Sequence, residues 1–309
     1  MTLHDKKSVA LVLGSGGARG LAHIGAIEAL EDRGYTITSV AGCSMGSIIA
    51  GLYCSGKLQE AKQWFLTIDK QRILQLTDFS ITGNSLVKGT RVIKALEQIV
   101  PDCRIESLDI PLTLVASDLI TSDEIIFRSG SLFEAIRASI SIPLFFQPVQ
   151  WQGRLLVDGG ILNPLPLRQI QRTDGDILVA MNISGKDGLV INRKSSDLLK
   201  ITSTMQQQRL AYMPKAIQRL HQSVTKRITA IERARRLSLQ GTLNYVTMLD
   251  RMSDMQIQQS TLLALQLTPP DVLATMPQYA FNTFDFDKAE TIIAEGYRLM
   301  NDALDSYEA

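Results

Sequence analysis

The chain reads as an α/β protein, with a mostly parallel central sheet flanked by helices and a helical C-terminal part. Three observations predict this. Residues 8–13, Ser-Val-Ala-Leu-Val-Leu, form a continuous rather than alternating apolar run, the pattern of a strand buried on both faces of a parallel sheet. That run passes at once into Gly14-Ser15-Gly16-Gly17-Ala18-Arg19-Gly20 and then into a helical pattern to Leu30, closed by Gly34. A second strand-like run, 36–41, ends in Gly42-Cys43-Ser44-Met45-Gly46 and is again followed by a helical pattern, 48–53. In a right-handed crossover the two turns open at the same carboxyl edge of the sheet.

The later elements follow in order. Residues 58–100 are mostly helical, with a glycine-containing break at 78–89 expected to be a surface loop or lid. A strand at 110–116 precedes a hairpin partner at 124–127, and Ser131 with Glu134 caps a short helix to Ser139. Residues 138–143, with Phe145, Phe146 and Pro148, read as an apolar wall. A strand at 155–158 delivers Asp158 into Gly159-Gly160, and 176–183 completes the sheet. The rest is mainly helical, with a late strand at 271–274 and a terminal helix at 287–302, so a catalytic core of residues 1–190 and a helical extension of 191–309 packed on it are expected. Within the extension, residues 210–237 repeat apolar positions at helical spacing among Lys215, Arg219, Lys226, Arg227, Arg233, Arg235 and Arg236. This basic amphipathic helix is read first as a solvated face, with peripheral contact to a membrane surface as the sharper alternative.

Composition narrows the function classes. With 309 residues and 45% hydrophobic content the chain can bury a large core. A net charge of +1 provides no global field to attract nucleic acid. No apolar run reaches the roughly 20 residues that span a bilayer, and the run after Lys6-Lys7 is too short for a signal peptide. Cys43, Cys54 and Cys103 are an odd number without metal-ligand spacing, which suits a reducing compartment. The cytoplasm is therefore the expected location.

Chemistry concentrates at the two turns. Gly42-Cys43-Ser44-Met45-Gly46 is a G-x-S-x-G pattern, in which small residues let the chain turn sharply and hold a serine hydroxyl out at the tip. By itself the pattern fits a packing turn about as well as a nucleophile. The glycine loop presents N–H groups to an anion, either a nucleotide phosphate or an oxyanion. Counting from Gly14 puts Arg19 where a dinucleotide fingerprint needs its third glycine, and no Gly-Lys-Ser/Thr ending follows. An exposed serine needs a base, and the chain holds only His4, His23 and His221. His23, flanked by apolar residues, reads as a core histidine. The order Ser44, Asp158, His221 matches a hydrolase triad, although His221 falls in a charged helix and the serine comes after only two strands. If no histidine serves, Asp158 is itself the base.

Gly16-Gly17-Ala18-Arg19-Gly20, Gly42-Cys43-Ser44-Met45-Gly46, the 138–143 segment and Asp158-Gly159-Gly160 occur in the order and spacing of the patatin-like phospholipases, and the chain resembles that family, particularly bacterial members related to the neuropathy target esterase catalytic region. The resemblance covers 8–183 and touches 281–297, while 194–260 is longer and more basic than in a compact member. It implies a patatin-like three-layer fold and a serine–aspartate dyad without histidine: Ser44 as nucleophile and Asp158 as base. The amides around Gly16, Gly17 and Ala18 would form the oxyanion hole, with Arg19 shaping the loop or meeting an anionic group, and Gly42 and Gly46 would build the elbow. The implied substrate is an acyl-ester lipid, and no metal or cofactor is required. Two other classes compete: a scaffold or regulatory protein on the same fold with minor hydrolysis, and a nucleotide-binding protein using the glycine loop.

Overall fold

The computed structural model describes residues 7–76, 78, 88–143, 145–185 and 245–309. The basic stretch 210–237, His4 and His221 lie outside the described residues, as does the expected lid at 78–89 apart from Asp78, Lys88 and Gly89. The chain divides into two compact units, one of residues 1–185 with 253–309 and one of 186–252. It leaves the first unit after Gly185 and returns to it at Ser253.

The first unit is built on one sheet of eight strands: β1 (Ser8–Leu13), β2 (Thr36–Cys43), β3 (Leu112–Asp118), β4 (Glu124–Phe127), β5 (Val149–Trp151), β6 (Arg154–Asp158), β7 (Ile177–Gly185) and β8 (Val272–Pro277). β3, β2, β1, β7 and β8 run parallel in that spatial order. β4 and β6 pair antiparallel with β3, and β5 with β6. β7 does not complete the sheet, because β8 adds a parallel strand outside it.

The continuous apolar sequence of β1 is explained by its position between β2 and β7, with a hydrophobic layer on each face. Val9, Leu11 and Leu13 enter the larger core, whereas Ala10 and Val12 face a smaller one with Leu165, Leu167 and Leu265. Helices cover these faces: α1 (Ala22–Asp32), α2 (Met45–Cys54), α3 (Leu58–Leu66), α4 (Lys70–Leu76), α5 (Thr90–Glu97), α6 (Leu132–Ser139), α7 (Tyr245–Leu267) and α8 (Ala289–Glu308). The result is a three-layer α/β fold. The capping residue read at Ser131 is in place, its hydroxyl accepting from the Glu134 amide at 3.0 Å.

α8 crosses α1 at a distance only glycine permits. A Cβ on Gly25 would lie 2.0 Å from the Ile293 carbonyl oxygen, and one on Gly296 would lie 2.0 Å from that of Ala22. Main chain on both sides cannot yield as a flexible side chain can. Gly25→Ala is therefore expected to destabilise the protein by more than about 3 kcal/mol, in the range of severe core defects. Gly51→Ala, whose Cβ would meet only the tips of Ile136 and Leu132 at 3.0 and 3.1 Å, should change stability by no more than about 1 kcal/mol. Thermal unfolding of the two variants checks the contrast.

Candidate active site

Ser44 sits where β2 ends and α2 begins. Its φ of 55° and ψ of −124° are unusual for a residue with a side chain and cost on the order of 1–3 kcal/mol. The surroundings hold it there. Its N–H donates to Ser139 Oγ at 2.9 Å, and its carbonyl accepts from the Ser47 amide at 2.8 Å and the Ser47 hydroxyl at 2.6 Å. Gly46 is wedged against the end of β1, since a Cβ there would lie 2.2 Å from the Leu13 carbonyl oxygen. A Cβ on Gly42 would lie 2.5 Å from the Gly46 carbonyl oxygen, so both glycines flanking the serine are required by contact.

Asp158 arrives from the opposite direction. β3 has two edges, and β4 occupies one of them along residues 114–117. β2 and β6 therefore share the other edge: Cys43 pairs with Val115, and the next residue of β3, Ala116, pairs with Asp158. Two strands running toward each other thus end nose to nose, with Ser44 and Asp158 at their tips. Ser44 Oγ donates to Asp158 Oδ2 at 2.6 Å, and the Gly160 amide donates to Oδ1 at 2.7 Å. Both residues are almost fully buried. Burial pushes the Asp158 carboxyl up to about 6, outweighing the bonds from Ser44 and Gly160 that favour its charged form.

The glycine loop lies alongside, and most of its polar groups are already engaged. Gly14 N–H donates to the Met181 carbonyl at 3.1 Å, Ser15 N–H to that of Pro164 at 2.8 Å, and Ala18 N–H to that of Thr283 at 2.8 Å. This last bond takes Ala18 off the group of available donors. Among the described residues, nothing accepts from the amides of Gly16 and Gly17. Arg19 is buried and turns to main chain, its Nε donating to the Ile183 carbonyl at 2.9 Å and its Nη1 to that of Phe281 at 3.0 Å. These bonds join the loop to β7 and to the main chain at Phe281. His23 is fully buried and does not bond to Ser44; its Nε2 lies 2.8 Å from the Gly14 carbonyl oxygen.

From Ser44 a cleft of about 120 Å³ runs between Met45, Phe65, Leu96, Ile140, Phe146 and Phe284. Its walls are almost wholly apolar. Ile140, Ile142, Phe145 and Phe146 belong to the apolar segment legible in the sequence. Thr283, Phe284 and Phe286 were not legible there, because no local pattern relates them to a loop more than 260 residues earlier. Among the described residues no cluster of three or more His, Cys, Asp or Glu is placed to hold a metal ion, and no helix is long and apolar enough to cross a membrane.

By fold and site the molecule is an α/β protein with a serine on a strained strand-to-helix elbow, bonded to a buried carboxylate at the mouth of an apolar cleft. Residues 11–170, about half of the sequence, match the family model described as patatin-like phospholipase, and the chain belongs to that family. An uncharacterized NTE family protein of Mycobacterium bovis is 44% identical over 179 residues, covering 58% of this chain and 50% of that protein. Neuropathy target esterase sws of Drosophila melanogaster is 32% identical over 198 residues, covering 62% of this chain and 14% of that one. The chain thus spans half the length of the mycobacterial relative and much less of the insect one. Among solved structures, VipD from Legionella pneumophila superposes with a TM-score of 0.46 at 14% identity, over 98% of this chain and 67% of that one.

The environment of Asp158 makes a stability prediction. A carboxyl whose folded value lies near 6, above its ordinary 3.8, favours folding when protonated; that contribution is complete below about pH 4 and is lost as pH rises through 6. Asp158→Asn should therefore stabilise the protein at pH 8, by up to about 3 kcal/mol at 1.4 kcal/mol per unit, and by little at pH 4. Urea denaturation of both proteins at the two pH values measures this.

Proposed function

We propose that the protein is a serine acyl hydrolase that releases fatty acid from phospholipid, lysophospholipid or a related acyl ester through Ser44 and Asp158. The observation that carries this reading is the 2.6 Å bond from Ser44 Oγ to Asp158 Oδ2 at the head of an apolar cleft. Membership of the patatin-like phospholipase family and the likeness to a protein named as an esterase support it.

The chemistry follows from the atoms in place. Asp158 takes the Ser44 proton as Oγ attacks the ester carbonyl, and the new oxyanion receives the amides of Gly16 and Gly17. Collapse of the tetrahedral intermediate breaks the bond to the alcohol, which leaves with the proton from Asp158. Water then enters, gives its proton to Asp158 and attacks the acyl-enzyme; Ser44 departs with that proton and the fatty acid is released. A carboxylate is a weak base at its ordinary value, and the upward shift by burial brings it closer to the proton it must hold. The cleft accommodates the acyl chain and excludes water from the charge that develops.

Three measurements test the reading. Ser44→Ala should abolish labelling by a fluorophosphonate and lower short-chain ester turnover at least about 10³-fold, and retained labelling would sink the assignment. Because Asp158 must be ionised to act, kcat/KM should rise with pH, show a limb near 6 and level off above it; Asp158→Asn should remove nearly all turnover. His221→Ala should keep wild-type turnover, and its loss in a folded protein would replace the pair by a triad.

A further inference from the structure

His23 is completely buried, and the reaction as described does not use it. A carbonyl oxygen can only accept, so the 2.8 Å contact with Gly14 makes Nε2 the protonated nitrogen. Burial lowers the ring to about 4, keeping it neutral in the working range, so Nδ1 carries a lone pair. Among the described residues, that buried nitrogen has no partner. An orphaned acceptor in a core costs on the order of 1–3 kcal/mol, a cost that an apolar residue of the same size would not incur. What the histidine contributes at this place is the bond from Nε2 to the Gly14 carbonyl.

That bond falls at a significant atom. Gly14 is where the chain leaves β1 to enter the glycine loop, and its carbonyl oxygen would lie 2.8 Å from a Cβ on Gly46, so it also touches the serine elbow. Other restraints on the loop come from outside it: the Met181, Pro164 and Thr283 carbonyls, Ser184 Oγ donating to the Ser15 carbonyl at 2.9 Å, and the Ile183 and Phe281 carbonyls that accept from Arg19. Among the described residues, His23 ties the entrance of the loop back to the helix that the loop feeds. We propose that His23 is a positioning residue: by fixing the Gly14 carbonyl against the elbow, it sets the distance from the Gly16 and Gly17 amides to the acyl oxygen above Ser44. This rests on the hydrolase reading given above.

The test compares His23→Leu, which removes the donor at similar volume, with His23→Gln, whose amide nitrogen can reach the place of Nε2. Short-chain ester kinetics, affinity for a trifluoromethyl ketone whose adduct bears the oxyanion, and thermal unfolding are measured on each full-length protein. His23→Leu should lose about 10- to 100-fold in kcat, less than the loss of an oxyanion donor itself, with KM within about twofold and unfolding temperature equal or higher. Ketone affinity should fall in step with kcat, and His23→Gln should recover most of both. A His23→Leu protein with wild-type kcat and ketone affinity would overturn the proposal, as would a glutamine variant no better than leucine when both are folded. If wild-type protein neither labels at Ser44 nor turns over ester, the hydrolase reading fails and the proposal falls with it; labelling and turnover at Ser44 isolate the fate of His23.

Discussion

The meeting of β2 and β6 on one edge of β3 is the constraint on which the site depends. β3 offers Val115 to Cys43 and Ala116 to Asp158, so the end of one strand stops where the other begins. A ladder fixes position along a strand to one residue, about 3.3 Å, more tightly than a flexible loop could. Ser44 and Asp158, 114 residues apart in the chain, are held within a single hydrogen bond by the register of the sheet. A slip of one residue in either pairing would turn the side chain to the other face.

The same economy governs the loop beside them. Main-chain groups buried in a protein must find partners, and those around Gly14 to Arg19 find them in β7, the 164 segment and the C-terminal stretch near Thr283. Among the described residues, the amides left over are those of Gly16 and Gly17. Glycine allows this at position 17, where φ is +59° and a Cβ would lie 2.6 Å from Thr283. The C-terminal segment thereby braces the loop and contributes Phe284 to the cleft, while α8 is pressed against α1 through Gly25 and Gly296. Residues 272–309 are part of the site's architecture even though they hold neither Ser44 nor Asp158.

Much of this was legible before any coordinates. The buried run of β1, the glycine loop, the elbow serine, the capped α6 and Asp158 at the end of β6 each carry a local signature, because steric and hydrogen-bonding rules act within a few residues. The bonds that decide Ala18 and Arg19 do not. Ala18 donates to a carbonyl 265 residues away, and Arg19 to carbonyls 164 and 262 residues away. Glycine-rich composition indicates that amides can be presented, whereas which amides remain available depends on what packs over them.

Sequence by itself determined the class of fold, the strand-to-helix turns, and the places of Ser44 in a turn and Asp158 at a strand end, since period and turn chemistry are local facts. The tertiary structure decided that serine and carboxylate touch, that Asp158 is buried enough to titrate near 6, that the amides of Gly16 and Gly17 have no acceptor among the described residues, and that β8 and α8 close the sheet-containing unit. Each of these depends on contact between segments far apart in the chain, and such contact is set by register and burial rather than by any residue's own propensity.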